Sequence, residues 1–377
     1  MHRANPLGIS RVVFTGDLLR PFPTGSEWES ATWKNIRWLQ ALISPHLARL
    51  GIPQSRLAWD AQTGPAQGIF FDTPALYDRL GLPLGMASWT RLANLPAAPA
   101  ALTEQIAPYV DGALVIGYEM PDPMLDALHA TGTPYIDVVL HAVRFLPDLV
   151  FAMRTNHAGL HEALQCNRVQ ESDIEDHAAD IKAKAAWMTP PAELPPDSLL
   201  IFGQVHGDRS LINSTRGGFS SLLDHLPELI DLCDAHARVF FKPHPYDMND
   251  SPSVRAMQSI GSVAFTTANA YHLMAQEHTQ AVAALNSSCL HEARYFGKET
   301  ISLIPAMYDF SARHAPTDDR PGGLVAQTPT WLSESFWRKV LRLETPPTSS
   351  TAHWAPDRLR KTMNADWGFG QINKVMA

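Results

Sequence analysis

SLLIFGQVHGDRSLI, residues 198–212, decides the fold. Five residues from Ser198 to Phe202, four of them large and apolar, run without a polar break into Gly203, and a polar loop with Gly207 and Asp208 follows. An unbroken apolar run of this length, rather than an alternating one, is the pattern of a strand covered on both faces, as in a parallel sheet flanked by helices. Downstream the pattern repeats. FSSLLDHLPELIDLCDAH (219–236) reads as a helix, and RVFFKPHP (238–245) as a strand ending in a loop. VAFTT (263–267), then AVAALNSS (281–288) running into CLHEARYFG (289–297), and TISLI (300–304) complete the series. Strands alternating with helices predict an α/β domain with a mainly parallel sheet.

Upstream, the same alternation is present. RVVFTG (11–16) predicts a strand, and residues 35–50 a helix, because Ile36, Leu39, Ile43, Leu47 and Leu50 recur at helical spacing before Gly51. GALVIG (112–117) and PYIDVVL (134–140) predict two further strands around a short helix in PMLDALHATG (123–132). Between the halves, ESDIEDHAADIKAKAAWM (171–188) gives way to TPPAELPPDS (189–198), where four prolines in ten residues cannot continue a helix. The boundary is therefore expected near residues 189–198, with domains at 1–190 and 198–320 facing a cleft, and a helical tail at 321–377 crossing back.

Composition narrows the function classes. The 377 residues are 45% hydrophobic and 18% charged, within the globular range. Thirty Lys and Arg stand against 38 Asp and Glu, a net charge of −8 without a long basic run, which argues against nucleic acid as a partner. Cys166, Cys233 and Cys289 stand far apart without metal-ligand spacing, so neither a disulfide framework nor a zinc site is expected, and no other metal. The opening MHRANPLGISRVVFTGD lacks a signal peptide's apolar run, and IDVVLHAVRFLPDLVFAM (136–153) is broken by His141, Arg144, Pro147 and Asp148. A cytoplasmic location is expected. In WLSESFWRKVLRL (331–343), Trp331, Phe336, Trp337 and Leu341 share an aromatic face that either packs inward or rests on the inner membrane surface.

Three strand-to-loop junctions hold the polar residues that can carry chemistry, since open α/β sheets bind ligands at the carboxyl ends of their strands. The first is FGQVHGDRSLI (202–212), with Gln204, His206, Asp208 and Arg209; Asp208 either faces the cleft or caps its own turn. In FFKPHPYD (240–247), Pro243 and Pro245 hold His244 rigidly beside Lys242, as suits contact with a phosphate. In AALNSSCLHEARYFGK (283–298), Ser287 and Ser288 stand at a helix start, where orphan N–H groups accept either a cap or an anion. Elsewhere, GDLLRPF (16–22) places Asp17 directly after the first strand, where it either caps the next segment or binds an acceptor or acts as an alternative base. Trp28, Trp33 and Trp38 cluster close behind, where an acceptor sugar can stack, and Arg20, Lys34 and Arg37 are candidate cations for a sugar carboxylate.

GQV-x-x-D-x-S-L-I, then K-P-H-P, then a paired-Ser turn followed by E-A-x-x-x-G-K, in that order over residues 199–304, resembles the bacterial capsule and lipopolysaccharide β-Kdo transferases. The resemblance implies two Rossmann-like domains in a GT-B-like arrangement and CMP-Kdo as the donor substrate, with no further cofactor. It implies that His244, Ser287 and Ser288, with Gln204 and Lys242 alongside, hold the CMP phosphate side, and that Asp208 is the nucleophile of a retaining double displacement. VIGYEMP (115–121) resembles the segment that carries an acidic residue at a strand end, which makes Glu119 the second catalytic carboxylate. His206, Arg209, Asp17 and Arg20 are left for the acceptor, a lipid-linked or free oligosaccharide, or for the sugar carboxylate. Two other readings stand beside this one: an inverting CMP-sialic or other nonulosonic acid transferase with Glu119 or Asp17 as base, and a non-catalytic nucleotide-sugar-binding subunit.

Overall fold

The computed structural model describes residues 8–24, 27–30, 32–59, 69–187, 194–247, 250–343 and 356–363. Within them the chain forms two compact units. The first draws on Met1–His141, Val150–Val169 and Phe310–Trp354, and the second on Ala142–Leu149, Gln170–Asp309 and the stretch from Ala355.

The first unit is built on strands β1 (Arg11–Gly16), β4 (Gln54–Ala58), β5 (Ile69–Phe70), β6 (Ala113–Tyr118), β7 (Tyr135–Leu140) and β8 (Phe151–Thr155), with a hairpin of β2 (Pro21–Thr24) and β3 (Glu27–Ser30) beside them. Its spatial order begins β5-β4-β1-β6-β7, all parallel, and antiparallel β8 extends it. Every residue of β6 and β7 is buried, as apolar runs broken only by Asp137 require of strands covered on both faces. The expected helix is Trp33–Arg49, with Ile36, Leu39, Ile43 and Leu47 turned into the core and Gly51 at φ 71° ending it.

The second unit contains β9 (Ser198–Phe202), the two-residue pair β10 (Ile212–Asn213) and β11 (Gly218–Phe219), β12 (Arg238–Lys242), β13 (Val263–Phe265), β14 (Thr279–Ala284) and β15 (Glu299–Ser302). Its main sheet is wholly parallel, in the order β13-β12-β9-β14-β15. Its core joins Leu199, Ile201, Val239, Phe241, Ala281 and Ala283 from the strands to Leu229, Cys233, Val254 and Met257 from the covering helices. Read by position in the chain, both units share one winding: the first strand lies in the middle, the second and third lie to one side, and the fourth and fifth to the other. Each sheet therefore has a switch point, between β1 and β6 in the first unit and between β9 and β14 in the second.

The chain changes units at other places than the Pro-rich stretch, much of which (188–193) lies outside the described residues. The helix Glu171–Trp187 groups with the second unit, where Tyr295 donates its hydroxyl to Glu171 at 2.6 Å and Ile174, Ala178 and Ile181 are buried. Residues 142–149, in mid-sequence of the first half, group there too, while the chain from Phe310 rejoins the first unit. There β16 (Val325–Gln327) pairs antiparallel with β8 as the edge of the first sheet.

Of the two readings of the aromatic face of 331–343, the structure takes the inward-packed one and not the membrane patch. Trp331, Phe336, Trp337 and Leu341 are all buried in the first unit, and the Trp337 indole donates to the Trp331 carbonyl at 2.9 Å. That spacing leaves no apolar stripe on the surface. Among the described residues no helix is long and apolar enough to cross a membrane.

Candidate functional site

At the switch point of the second unit, the loops after β9 and β14 are tied to each other. Gln204 Nε2 donates to Asn286 Oδ1 at 3.0 Å, and Gln204 Oε1 accepts from the Asn286 backbone N–H at 2.9 Å. Asn286 Nδ2 reaches the carbonyl of Ser210 at 2.7 Å and that of Pro305 at 3.1 Å. Gly203 lets the β9 loop lie against the K-P-H-P backbone, since a Cβ there would stand 3.1 Å from the His244 nitrogen and 3.2 Å from the Pro243 Cα. A ligand crevice forms where strand order reverses, and these bonds hold its rim.

His244 is half-buried between its prolines, and its Nδ1 accepts from the Tyr246 N–H at 3.2 Å. A ring accepting at Nδ1 carries its proton on Nε2, which makes that nitrogen a donor. Burial lowers the ring's pKa. Asp208 and Asp247 pull it back up, and Lys242 and Arg144 lower it further. Burial also lowers the Lys242 ammonium. Ser287 caps the helix Ser288–Tyr295 by accepting from the Cys289 N–H at 3.3 Å, with Ser288 at its first position.

Asp208 is exposed, and one oxygen accepts from the Ser210 N–H at 2.8 Å as the cap of a short 3₁₀ turn. Of the two sequence readings the cap is present, and the carboxylate stays exposed. His206 is exposed and stands edge-on to Phe219 at 5.7 Å, and Arg209 is half-buried in the same 3₁₀ turn.

The sequence did not point to the group behind this rim. Glu292, buried on the helix that Ser287 caps, accepts from the Arg144 N–H at 2.7 Å and from the Tyr271 hydroxyl at 2.9 Å. Burial pushes its carboxyl up to about 7 despite those donors. Burial likewise pushes the thiol of half-buried Cys289 up to about 12, which favours its protonated form. Arg144 belongs to the 142–149 loop, which is clamped from the far end of the chain. Arg360 donates its guanidinium to the carbonyls of Pro147 at 2.9 Å, Leu146 at 2.9 Å and Arg144, while Asp148 accepts from the N–H groups of Leu359 at 2.8 Å and Arg360 at 3.2 Å. The E-A of E-A-x-x-x-G-K was a signal for Glu292. Nothing local marks Arg144 or Arg360, because their partners lie about 150 to 215 residues away.

In the first unit the corresponding switch point carries Asp17 after β1 and Glu119 after β6. Glu119 is half-buried and takes a left-handed φ of 48°, unusual for any residue but glycine. Its turn is pinned on both sides: the Glu119 N–H donates to the Val138 carbonyl at 2.9 Å, and the Met120 N–H to Asp137 Oδ1 at 2.9 Å. Asp137 is fully buried and its other oxygen receives Arg154 Nε at 2.9 Å. His141 stands edge-on to Phe310 at 4.5 Å, and its N–H donates to the Val150 carbonyl at 3.0 Å.

Asp17 takes the capping reading. It is 1% exposed, and its oxygens accept from the N–H groups of Leu19 at 2.9 Å and Arg20 at 3.2 Å and from the Trp89 indole at 3.0 Å. A carboxylate so enclosed organises its own turn and meets no acceptor. Arg20 lies over the Trp89 ring at 4.5 Å. Among the described residues, no three His, Cys, Asp or Glu side chains are grouped so as to hold a metal ion.

No protein-family model matches the sequence, and no curated protein matches it significantly. Among solved structures, the KpsC β-Kdo 2,4-transferase of Thermosulfurimonas dismutans aligns at 12% identity and TM-score 0.39, over 78% of this chain and 79% of that one. The β-Kdo 2,7-transferase of the same KpsC aligns at 12% identity and TM-score 0.37, over 89% and 100%. A UDP-GlcNAc 2-epimerase of Methanocaldococcus jannaschii aligns at 9% identity and TM-score 0.28, over 97% and 99%. All three TM-scores lie below 0.5, so the functional reading rests on the site's own geometry.

Proposed function

We propose that the protein is a glycosyltransferase that moves Kdo from CMP-Kdo to a lipid-linked or oligosaccharide acceptor of a surface polysaccharide, with retention. One observation carries this reading: the loops after β9, β12 and β14 open at the same carboxyl edge of one parallel sheet, and they carry the exposed Asp208 carboxylate, the Lys242 ammonium with a proton-bearing His244 Nε2, and a serine-capped helix start. The last three groups suit a leaving phosphate, which gains negative charge as the glycosidic bond breaks. The first suits attack at the anomeric carbon. Asp208 then forms a glycosyl ester as CMP departs, and the acceptor hydroxyl displaces it, giving its proton to a base. Glu119 is the carboxylate assigned to that proton, because its pinned, strained turn holds it at the matching switch point. A donor with one phosphate needs no divalent ion for charge neutralisation. With Asp17 enclosed, an inverting reaction is left with Glu119 alone as base.

The test has two arms. CMP, UDP and GDP are titrated into the full chain, and CMP is expected to bind at least tenfold more tightly than the other two. CMP-Kdo is then incubated with Glu119→Gln, and intact mass is expected to show one sugar on the protein, lost on further substitution of Asp208→Asn. Tighter UDP binding overturns the donor. An unmodified Glu119→Gln protein, where the wild type turns over with inversion of configuration, overturns the nucleophile. CMP binding without any transfer by wild type overturns the enzyme in favour of a binding subunit.

A further inference from the structure

An open groove of about 530 Å³ runs along one flank of the helix Trp33–Arg49 in the first unit. Trp33, Lys34, Arg37, Trp38 and Gln40 from the helix and Arg56 from β4 line it, and among the described residues no acidic side chain does. On a chain of net charge −8, three cations gathered along one groove are a local concentration of positive charge. The helix explains the arrangement. Ile36, Leu39, Ile43 and Leu47 take the core-facing stripe, which leaves Trp33, Arg37, Gln40 and Ser44, at intervals of four, three and four, on a neighbouring stripe.

The lining is also held in place before any ligand arrives. The Arg37 guanidinium lies 5.0 Å from the Trp33 ring centroid. Trp38 is fixed edge-on to Tyr118 at 6.3 Å and tilted to Phe151 at 5.3 Å. Arg56 donates to Gln40 Oε1 at 3.3 Å. Ordered aromatic and guanidinium groups lose little entropy on binding.

We infer that this groove binds a carboxylate-bearing oligosaccharide. Indole rings take the apolar faces of sugar rings, guanidinium and ammonium groups take carboxylates, and Gln40 and Ser44 supply neutral hydrogen-bonding groups for hydroxyls. From Trp33 to Ser44 the helix rises roughly 16 Å, which is too long for one phosphate or one monosaccharide and fits a short oligomer. Three cations on an acidic protein are too few for a nucleic acid. This binding needs no sugar donor and stands apart from the transferase reading.

The test is titration of the full chain with trigalacturonate, with maltotriose as a neutral trisaccharide, and with inorganic phosphate, phosphatidylglycerol vesicles and a short single-stranded RNA. Trigalacturonate is expected to bind at least tenfold more tightly than maltotriose, and to weaken as NaCl rises from 50 to 300 mM. Lys34→Glu with Arg37→Glu, both exposed, is expected to cut its affinity at least tenfold with an unchanged melting temperature, while Arg91→Ala, exposed in the same unit and outside the groove lining, leaves it intact. Equal binding of maltotriose, an unchanged affinity in the double variant, or tighter binding of phosphate, vesicles or RNA than of trigalacturonate overturns the proposal. CMP binding measured on the same double variant stays at the wild-type value if the groove and the donor site are separate.

Discussion

Gln204 and Asn286 exchange two hydrogen bonds, one side chain to side chain at 3.0 Å and one side chain to backbone at 2.9 Å, across the point where the second sheet reverses its strand order. The two residues are 82 positions apart, and each follows a strand whose carboxyl end opens on the candidate site. Asn286 also holds the carbonyls of Ser210 and Pro305, so one amide joins three loops. A half-buried amide of this kind fixes geometry more than it adds net energy, because removing one partner strands the other.

Asn286→Ala is therefore expected to cost about 1–3 kcal/mol of stability, and Gln204→Ala a similar amount. In the double variant the two losses do not add, with a coupling on the order of 1 kcal/mol. Thermal melts of the four proteins check this, and CMP titration should show both single variants at least tenfold weaker. Additive losses would mean that the amides act independently of each other.

Glu292 makes stability depend on pH in an unusual direction. Its folded pKa, about 7, lies above the ordinary value of 4.5, so folding favours the protonated form. The contribution is fully present below pH 4.5 and is lost as pH rises through 7. The loss is on the order of 3 kcal/mol across that window. Glu292→Gln keeps an oxygen that accepts from the Arg144 N–H and the Tyr271 hydroxyl but cannot ionise. Its melting temperature should match wild type near pH 5 and exceed it at pH 8; parallel curves at all pH values would refute the buried-acid reading.

The contrast between these residues shows what the sequence could reveal. Local order was legible: apolar runs named β1, β6, β7, β9, β12 and β14, helical spacing named Trp33–Arg49, and turn chemistry marked Ser287, Lys242 and His244. Asp208 was legible as a choice between cap and site, and the structure shows the cap with the carboxylate left exposed. Asp17 posed the same choice, because a strand-end carboxylate looks the same in sequence whether it faces a ligand or, as here, an indole and two backbone N–H groups. Arg144, Tyr271 and Arg360 could not be read, since their partners come together only through tertiary packing. The same holds for unit boundaries, which depend on where the helix Glu171–Trp187 buries Ile174, Ala178 and Ile181 and not on where prolines stop a helix.

Glu119 carries backbone strain that a glycine would release. A non-glycine residue at φ 48° costs about 1 kcal/mol or more, and Glu119→Gly should recover roughly that amount. Glu119→Ala keeps the strain. Both variants should lose transfer, whereas only the glycine variant should melt higher than wild type. A glycine variant that melts lower would show that the Glu119 side chain contributes more to folding than its turn costs.

Arg360 and Asp148 form the last device that can be tested by removal. Arg360 serves three carbonyls of the 142–149 loop, and Asp148 returns two acceptor contacts to the N–H groups of Leu359 and Arg360. Both side chains are nearly inaccessible to water, so deleting either strands several polar groups. Arg360→Ala is expected to destabilise by about 3–5 kcal/mol, and Arg360→Lys to recover little, because one ammonium cannot replace a planar fork aimed at separate carbonyls. Since the clamped loop carries Arg144, whose N–H binds Glu292 and whose charge acts on His244, the loss should extend to the site. Amide exchange should accelerate in residues 142–149 of Arg360→Lys, and CMP affinity should fall with it. Faster exchange with undiminished CMP binding would confine the clamp to stability alone.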